Sequence, residues 1–199
     1  AVSTVLISVP IGTMAAYALS RMRGFGSRGV LFGLLAMRMF PHILLAIPFF
    51  VLAQTLSLID TYAAMVLALV AINQPFTIWL MRSFFMEVPL ELDEAACIDG
   101  CNVWQTFTRV ALPVVRPGLW VTSLFSLLLA YNEFLFALVL TGPGTKTLPV
   151  AIAEYGAEDL NYWSLSAAAA IGIMLPIVAF MMLLQRHLVR GIAFGAVKG

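Results

Sequence analysis

The sequence predicts an all-α, polytopic membrane protein, and three observations lead to that prediction. Of its 199 residues, 62% are hydrophobic and only 11% are charged, whereas a water-soluble domain carries roughly 25% charged residues. The apolar residues form five runs of about 20 residues, the length that a membrane-spanning helix needs. Most of the basic residues lie between these runs. Lipid is therefore the expected solvent for much of the chain.

Each predicted span is an apolar run that ends near polar or basic residues. Arginines follow the first, third and fifth runs, and Pro41 and Pro48 interrupt the second. The sequence therefore predicts spans over residues 2–20, 30–56, 62–81, 119–140 and 165–184.

The distribution of arginine and lysine sets the predicted orientation. Placing residues 21–28 inside leaves only Lys146 outside, whereas the opposite orientation puts nine basic residues outside. We therefore expect an outer N-terminus and a long inner loop, residues 84–118. Because Ala1 already lies in an apolar run, we also expect a first span to precede it, which gives six spans with both ends in the cytoplasm.

The segment GPGTKT, residues 142–147, has the composition of a phosphate-binding loop without its spacing. That motif requires a glycine directly before the lysine and another glycine five residues earlier, but Thr145 precedes Lys146. We expect a turn on the outer side, and we expect that the chain does not bind ATP itself.

The sequence offers little evidence for a metal, catalytic or nucleic-acid-binding site. Cys97 and Cys101 lie four residues apart, but zinc would need two further ligands, and His42 and His187 are distant in sequence. We expect two reduced structural thiols and no metal site. No local spacing suggests a catalytic triad, and a net charge of +1 gives no basic surface for nucleic acid. The sequence therefore predicts a protein that is not an enzyme.

Arg38, Asn132 and Glu133 are polar residues inside the predicted spans. A charge at the bilayer centre costs about 2.5–3.5 kcal/mol on insertion scales. Asn132 and Glu133 therefore either line a water-filled path or join helices, and both readings stay open. For Arg38 we favour a structural role, because it lies ten residues after Arg28, within reach of the interface.

Two short helices are predicted in the inner loop. Pro89 suits the first turn of one helix, and Gly100 ends it. The acidic residues Glu91, Asp93 and Glu94 favour its N-terminus. Asn102 and Gln105 form a variant of the capping box for the second helix, which has one apolar stripe and ends at prolines. These stripe and end residues are Val103, Phe107 and Val110, then Pro113 and Pro117.

Helices this short are marginal alone in water, so the inner loop needs a surface to dock on. Residue physics leaves two readings open. The helices either pack on the inner surface of this protein or fill a groove in another protein.

The stretch EAACIDG…VALP resembles the signature of permease subunits of binding-protein-dependent ABC importers. That signature reads EAA, three residues, G, nine residues, I, one residue, LP. Every spacing from Glu94 to Pro113 matches, and the one departure is Val110 in place of isoleucine. The stretches LSLIDTYAAM, YNEFLFAL and LVRGIAFGAVKG resemble the carbohydrate-uptake branch, close to maltose-type permeases. This resemblance covers nearly the whole chain. The main departure from the family pattern is the absent first span.

The resemblance implies a type I ABC importer transmembrane domain over residues 1–199, a multi-pass protein of the bacterial inner membrane. It implies a second permease, two ATPase subunits that bind the ATP, and a periplasmic solute-binding protein as partners, with no cofactor in this chain. ATP binding would draw the ATPases together, pull the inner loop and turn the path outward. The implied ATPase-coupling residues are Glu94, Ala95, Ala96, Asp99, Gly100, Val110, Leu112 and Pro113.

The resemblance also implies a path for a sugar or a related polyol. Sugar sites are lined by aromatic and hydrogen-bonding side chains, and Trp79, Tyr131, Asn132 and Glu133 are the candidates in this chain. We further hypothesise that the acidic first helix of the inner loop sets its register against basic groups of the ATPase.

The sequence leaves three alternatives to a sugar importer. An importer of a non-sugar solute, such as glycerol phosphate, would use a similar sequence. A secondary transporter driven by an ion gradient would need acidic groups at mid-membrane, for which Glu133 alone is thin support. A membrane scaffold leaves the signature unexplained. Neighbouring genes for a second permease, a binding protein and an ATPase would separate the importer from the other two classes.

Overall fold

The structure is a computed structural model that describes residues 1–22, 24–158 and 163–196, and these are mostly helical. Eleven α-helices lie within the described residues, with one π-helical segment, Thr106–Ala111, between α6 and α7. The α-helices are α1 Val2–Arg21, α2 Phe25–Met39, α3 His42–Thr55, α4 Tyr62–Met86, α5 Leu90–Ile98, α6 Val103–Gln105, α7 Leu112–Val114, α8 Arg116–Tyr131, α9 Leu135–Leu140, α10 Leu148–Glu158 and α11 Trp163–Ala196.

Three stretches of the described residues are long and apolar enough to cross a membrane as single helices. They are α1, α4 and the first part of α11, Trp163–Met182. They coincide with the first, third and fifth predicted spans. In α4 the helix continues five residues beyond the predicted end, to Met86.

The second predicted span is two helices, because the chain turns by 93° between Gly26–Met39 and His42–Thr55. Phe40 adopts an extended conformation there, as expected of a residue that precedes a proline. Pro41 therefore breaks the span. Pro48, the other predicted interruption, lies inside α3 without ending it.

The fourth predicted span is also broken, and the prediction of one continuous helix over 119–140 was wrong. Helix α8 ends at Tyr131, and α9 begins at Leu135. The Asn132 side-chain amide donates to the carbonyl of Leu128 over 2.9 Å, and a Glu133 carboxylate oxygen accepts from the amide of Phe136. Such local bonds between side chain and backbone compete with helical ones, so the two polar residues end α8 and restart the helix as α9.

Helices α1 and α4 run parallel and form the most extensive contact between two helices. Their hydroxyls meet near one end, where Oγ of Ser8 and Oγ1 of Thr77 lie 3.4 Å apart. Their rings meet near the other end, where the Tyr17 and Phe85 centroids are 5.3 Å apart. Parallel neighbours require the chain to return once between them, and the bent α2–α3 pair makes that return.

Helix α8 runs antiparallel to α4. Gly118 at its start lies against the ring of Phe84, and Phe125 further along meets Phe76, nearer the start of α4, with ring centroids 6.1 Å apart. This direction agrees with the predicted fourth crossing. It brings the segment after α9 to the end of the molecule where α4 begins.

The carboxylate of Asp60, in the turn between α3 and α4, joins this turn to the GPGTKT segment. The carboxylate accepts from the amides of Gly142 and Gly144, at 2.8 and 3.1 Å, and from the hydroxyl of Thr145 at 2.6 Å. The amide of Asp60 donates to the carbonyl of Leu140. The GPGTKT segment therefore does bind an anion through its backbone, and that anion is a side chain of the same protein.

This arrangement predicts an acid-sensitive contribution to stability. The hydrogen bonds, chiefly the one from the Thr145 hydroxyl and then those from the glycine amides, hold the pKa of the Asp60 carboxyl below its usual value. Because the folded-state pKa lies below the unfolded value of about 3.9, the carboxylate stabilises the fold above about pH 4. The effect is lost as the pH falls through the lowered pKa.

The variant Asp60→Asn isolates this charge, because asparagine also tolerates the left-handed conformation of this position (φ +58°). We expect Asp60→Asn to melt at a lower temperature than the wild type near neutral pH, and the difference to shrink below about pH 4. Thermal unfolding in detergent across that range measures it. A difference that stays constant into strong acid would contradict the assignment.

Candidate functional site

The first helix of the inner loop is α5, Leu90–Ile98. Pro89 lies at its N-cap position, one residue before the predicted first turn, and Glu91 and Asp93 lie in that turn. Gly100 has a φ of +84°, a conformation that glycine adopts at little cost. The predicted end of the helix at this glycine is confirmed.

The second helix begins at the predicted capping box. The Asn102 side chain accepts from the Gln105 amide, and the Gln105 side chain accepts from the Asn102 amide, both over 2.9 Å. The chain then continues as the π-helical segment and α7. Pro113 lies within α7, and Pro117 lies in the first turn of α8 beyond a 79° bend. The predicted end at these prolines is therefore displaced to the bend between them.

The predicted apolar stripe of the second helix does not form a single face. Phe107 is buried, Val110 is half-buried and Val103 is exposed. The stripe assumed α-helical spacing, whereas a π-helix bonds residues five apart. This change of period rotates Phe107 toward the protein and leaves Val103 outside.

One face of the inner loop packs on the spans of the same chain. Phe107 and Ala111 join a core cluster with Tyr17 of α1 and Phe85 of α4, and the Tyr17 and Phe107 ring centroids are 5.1 Å apart. Ala96 of α5 is also buried. The reading in which the loop docks on its own protein is therefore correct for this face.

The inner loop also exposes several large apolar side chains. Ile98 is 87% exposed and Trp104 is 61% exposed. These side chains lie outside the predicted spans, and large exposed apolar surface there marks interaction sites. We call this set the open face of the inner loop, and it comprises Leu92, Ile98, Val103 and Trp104.

The implied ATPase-coupling residues divide between these two surroundings. Glu94, Ala95, Asp99 and Gly100 are exposed beside the open face. Ala96 is buried, and Val110, Leu112 and Pro113 are half-buried at the foot of the loop. Cys97 is an exposed free thiol, and Cys101 is a half-buried free thiol.

An ion pair that sequence reasoning missed ties α5 to α1. Nε of Arg21 donates to a carboxylate oxygen of Asp93 over 2.6 Å, and the hydroxyl of Tyr17 donates to the same oxygen over 3.1 Å. The partners lie 72 residues apart in sequence, and no local signal joins them. Asp93 therefore turns inward, which removes it from the acidic surface that we hypothesised to face an ATPase.

The four residues suggested for a solute path do not come together. The Tyr131 hydroxyl donates to the carbonyl of Ile173 in α11, and its ring lines an apolar pocket between α1, α8 and α11. Trp79 is exposed, and Asn132 is exposed with its amide on its own helix end.

Glu133 lines a different pocket. Arg38 at the end of α2, His42 at the start of α3 and Asn73 of α4 line the same pocket. Asn73 is only 4% exposed, and the Arg38 guanidinium lies 5.0 Å from the Phe76 ring centroid. We call this the polar pocket. It lies where the α2–α3 bend meets the α8–α9 break, and no sequence signal located that meeting.

This chain matches a known family of transport proteins. The model for the binding-protein-dependent transport system inner membrane component matches residues 8–194. The chain belongs to this family. It is therefore a multi-pass inner-membrane permease subunit of an ABC transporter, and not an enzyme. This membership decides against the secondary-transporter and scaffold alternatives.

Relatives of this permease carry consistent names. It is 42% identical over 197 residues to the probable ABC transporter permease protein y4oR of Sinorhizobium fredii, covering 99% of this chain and 70% of the relative. It is 37% identical over 199 residues to the trehalose transport system permease protein SugB of Mycobacterium tuberculosis, covering 98% of this chain and 73% of the relative.

The fold of the permease also matches a solved importer. A chain of the bacterial ABC transporter that imports the acidic polysaccharide alginate superposes with a TM-score of 0.72 at 17% identity. The match covers 95% of this chain and 76% of that chain. The predicted type I importer fold is thereby confirmed.

Proposed function

We propose that this permease pairs with a second permease to form the path of an importer for a sugar or a related polyol. In this proposal, two ATPase subunits bind the ATP, and a periplasmic binding protein delivers the solute. Residues 1–199 act as one transmembrane domain, and the inner loop, residues 84–118, couples it to an ATPase. The observation that carries the proposal is the division of the inner loop into a packed face and an open face.

The two faces have complementary roles in coupling. The packed face, with Phe107 and Ala111 in the core cluster, makes the loop move with the spans. The open face offers large apolar side chains next to Glu94, a combination that suits a cleft with an apolar floor and basic groups. Alternating access then follows as a rigid-body change between two packings of the spans.

Cys97 offers a direct test of the docking, because this thiol is native, exposed and on α5. A bifunctional maleimide reagent should join it to a cysteine placed at the permease-facing cleft of the ATPase. The yield should change between the ATP-bound and nucleotide-free complexes. The variant Cys97→Ser is the matched control. Absence of cross-linking in an active importer would refute the docking.

A sugar or polyol is supported as the solute by the trehalose permease relative and by the chemistry of the polar pocket. Arg38 and Asn73 carry hydrogen-bond donors, and Glu133 carries acceptors. A hydroxyl both donates and accepts, so a hydroxyl-rich solute matches this mixed set. The broken helices supply the opening, because unwound backbone at membrane depth is tolerated where it lines a cavity.

The polar pocket predicts that Glu133→Gln lowers solute uptake. Glutamine keeps the acceptor for the Phe136 amide but removes the charge. A hydrogen bond to a charged group contributes about 1.5–3 kcal/mol, so uptake should fall about tenfold or more. Radiolabelled uptake by cells across disaccharides, polyols and glycerol phosphate measures the effect and names the solute.

The matched control is Glu87→Gln, which removes the same charge from an exposed residue of the inner loop and should leave uptake intact. Wild-type uptake of every solute by Glu133→Gln would remove the polar pocket from the path. If the wild type took up glycerol phosphate and no sugar or polyol, glycerol phosphate would become the proposed solute.

A further inference from the structure

Arg21, the last residue of α1, contacts three separate elements at the inner end of the spans. Its Nε donates to Asp93 of α5 over 2.6 Å. Its Nη1 lies 3.3 Å from the carbonyl of Phe85 in the last turn of α4 and 3.3 Å from that of Val88 in the turn before α5. One guanidinium therefore joins α1, the end of α4 and α5.

We infer that Arg21 is a positioning residue for coupling, which makes α1 follow α5 when an ATPase moves the inner loop. This inference rests on the proposed function of that loop. It goes beyond it by naming the connection between the loop and the first span.

Burial makes this ion pair sensitive to the loss of either partner. The side chains of Arg21 and Asp93 are only 16% and 15% exposed, and either charge alone in this environment would be uncompensated. The carbonyls at the end of a helix lack partners within the helix, and the planar guanidinium reaches two acceptors besides the carboxylate. A lysine ammonium lacks that planar fork of donors.

Tyr17 adds a second link in the same place. Its hydroxyl donates to the carboxylate of Asp93, and its ring packs on Phe85 and on Phe107 of the π-helical segment. Polar and apolar contacts therefore converge one turn before Arg21. A displacement of α5 away from α1 breaks the hydrogen bond to Asp93, and a displacement of the π-helical segment breaks the ring contact with Phe107.

The test compares Arg21→Gln, Asp93→Asn and the double variant in the complete importer, reconstituted in liposomes. The readout is solute transported per ATP hydrolysed, with the amount of permease in the membrane as a second measurement. Each single variant leaves one charge unpaired, so the amount of permease in the membrane should fall. The double variant leaves no unpaired charge, so the amount of permease should recover toward the wild type.

The double variant decides between a positioning role and a purely structural one. We expect its transport per ATP to stay at least about tenfold below wild type, which corresponds to about 1.4 kcal/mol of lost coupling. A double variant with the wild-type ratio would overturn the inference.

Arg28→Gln is the matched control, because Arg28 is an exposed arginine seven residues later and forms no ion pair among the described residues. Its ratio should equal the wild-type ratio, and an equal loss in this variant would also count against Arg21. Cross-linking at Cys97 distinguishes a failure of the role of Arg21 from a failure of the proposed function of the inner loop. If Cys97 docks and the double variant couples normally, only the role of Arg21 is wrong. If Cys97 never docks, the proposed function itself fails.

Discussion

Replacing Glu94 by lysine is expected to abolish solute-stimulated ATP hydrolysis while the permease stays in the membrane. The Glu94 side chain is exposed on α5 and forms no ion pair among the described residues. Its charge is therefore available to a partner. Like charges brought together at an interface cost several kcal/mol, so a basic cleft on the ATPase would reject the reversed helix. Exposed substitutions usually change stability by less than about 0.5 kcal/mol, so the fold should persist.

Stimulated ATP hydrolysis in the reconstituted importer measures this effect, with permease yield measured in parallel. Glu87→Lys is the control, since it makes the same charge change at an exposed residue just before α5. It should retain the stimulation. Stimulation of Glu94→Lys at the wild-type level would show that the acidic helix does not set the register against the ATPase.

Local chemistry explains why much of the inner loop was predictable. The capping box needs only Asn102 and Gln105 three residues apart, and the end of α5 needs only a glycine at Gly100. Both signals lie within one or two turns of the backbone they determine. The three unbroken spans were predictable for a similar reason, because length and apolarity suffice to specify them.

Breaks within spans arise where a local interaction competes with helical hydrogen bonds. One of the two breaks was predicted and the other was not. Pro41 imposes an extended conformation on the residue before it, so the interruption of the second span was visible in the sequence. Asn132 and Glu133 break the fourth span through side-chain bonds to nearby backbone. The same residues are tolerated inside other helices, so composition did not reveal this second break.

Contacts between distant segments lay beyond the sequence altogether. Arg38 and Glu133 meet in the polar pocket only because a 93° bend and a helix break fall at the same place. Arg21 and Asp93 pair because α1 and α4 run in parallel. Such contacts depend on how each helix is rotated about its axis. An apolar run has similar side chains on its lipid-facing and protein-facing sides, so its sequence gives little information about that rotation.

Replacing Gly12 by leucine is expected to prevent α1 from packing on α4. A Cβ at Gly12 would lie 2.5 Å from Cγ2 of Thr77 and 3.1 Å from Oε1 of Gln74. Small residues at such contacts let membrane helices approach closely. Even Gly12→Ala should cost about 1–3 kcal/mol through overpacking. The yield of folded permease in the membrane, and its melting temperature in detergent, measure the loss.

Thr77→Ser supplies the compensating change, because serine lacks the Cγ2 methyl but keeps the hydroxyl that lies 3.4 Å from Oγ of Ser8. The double variant Gly12→Ala with Thr77→Ser should therefore melt above Gly12→Ala alone. Gly33→Ala in α2 is the matched control, since no atom lies within 4 Å of a Cβ at that position, and alanine favours helix by about 1 kcal/mol over glycine. It should be neutral or stabilising. If Gly12→Ala proved as harmless as Gly33→Ala, the close approach of α1 to α4 at Gly12 would not be required for the fold.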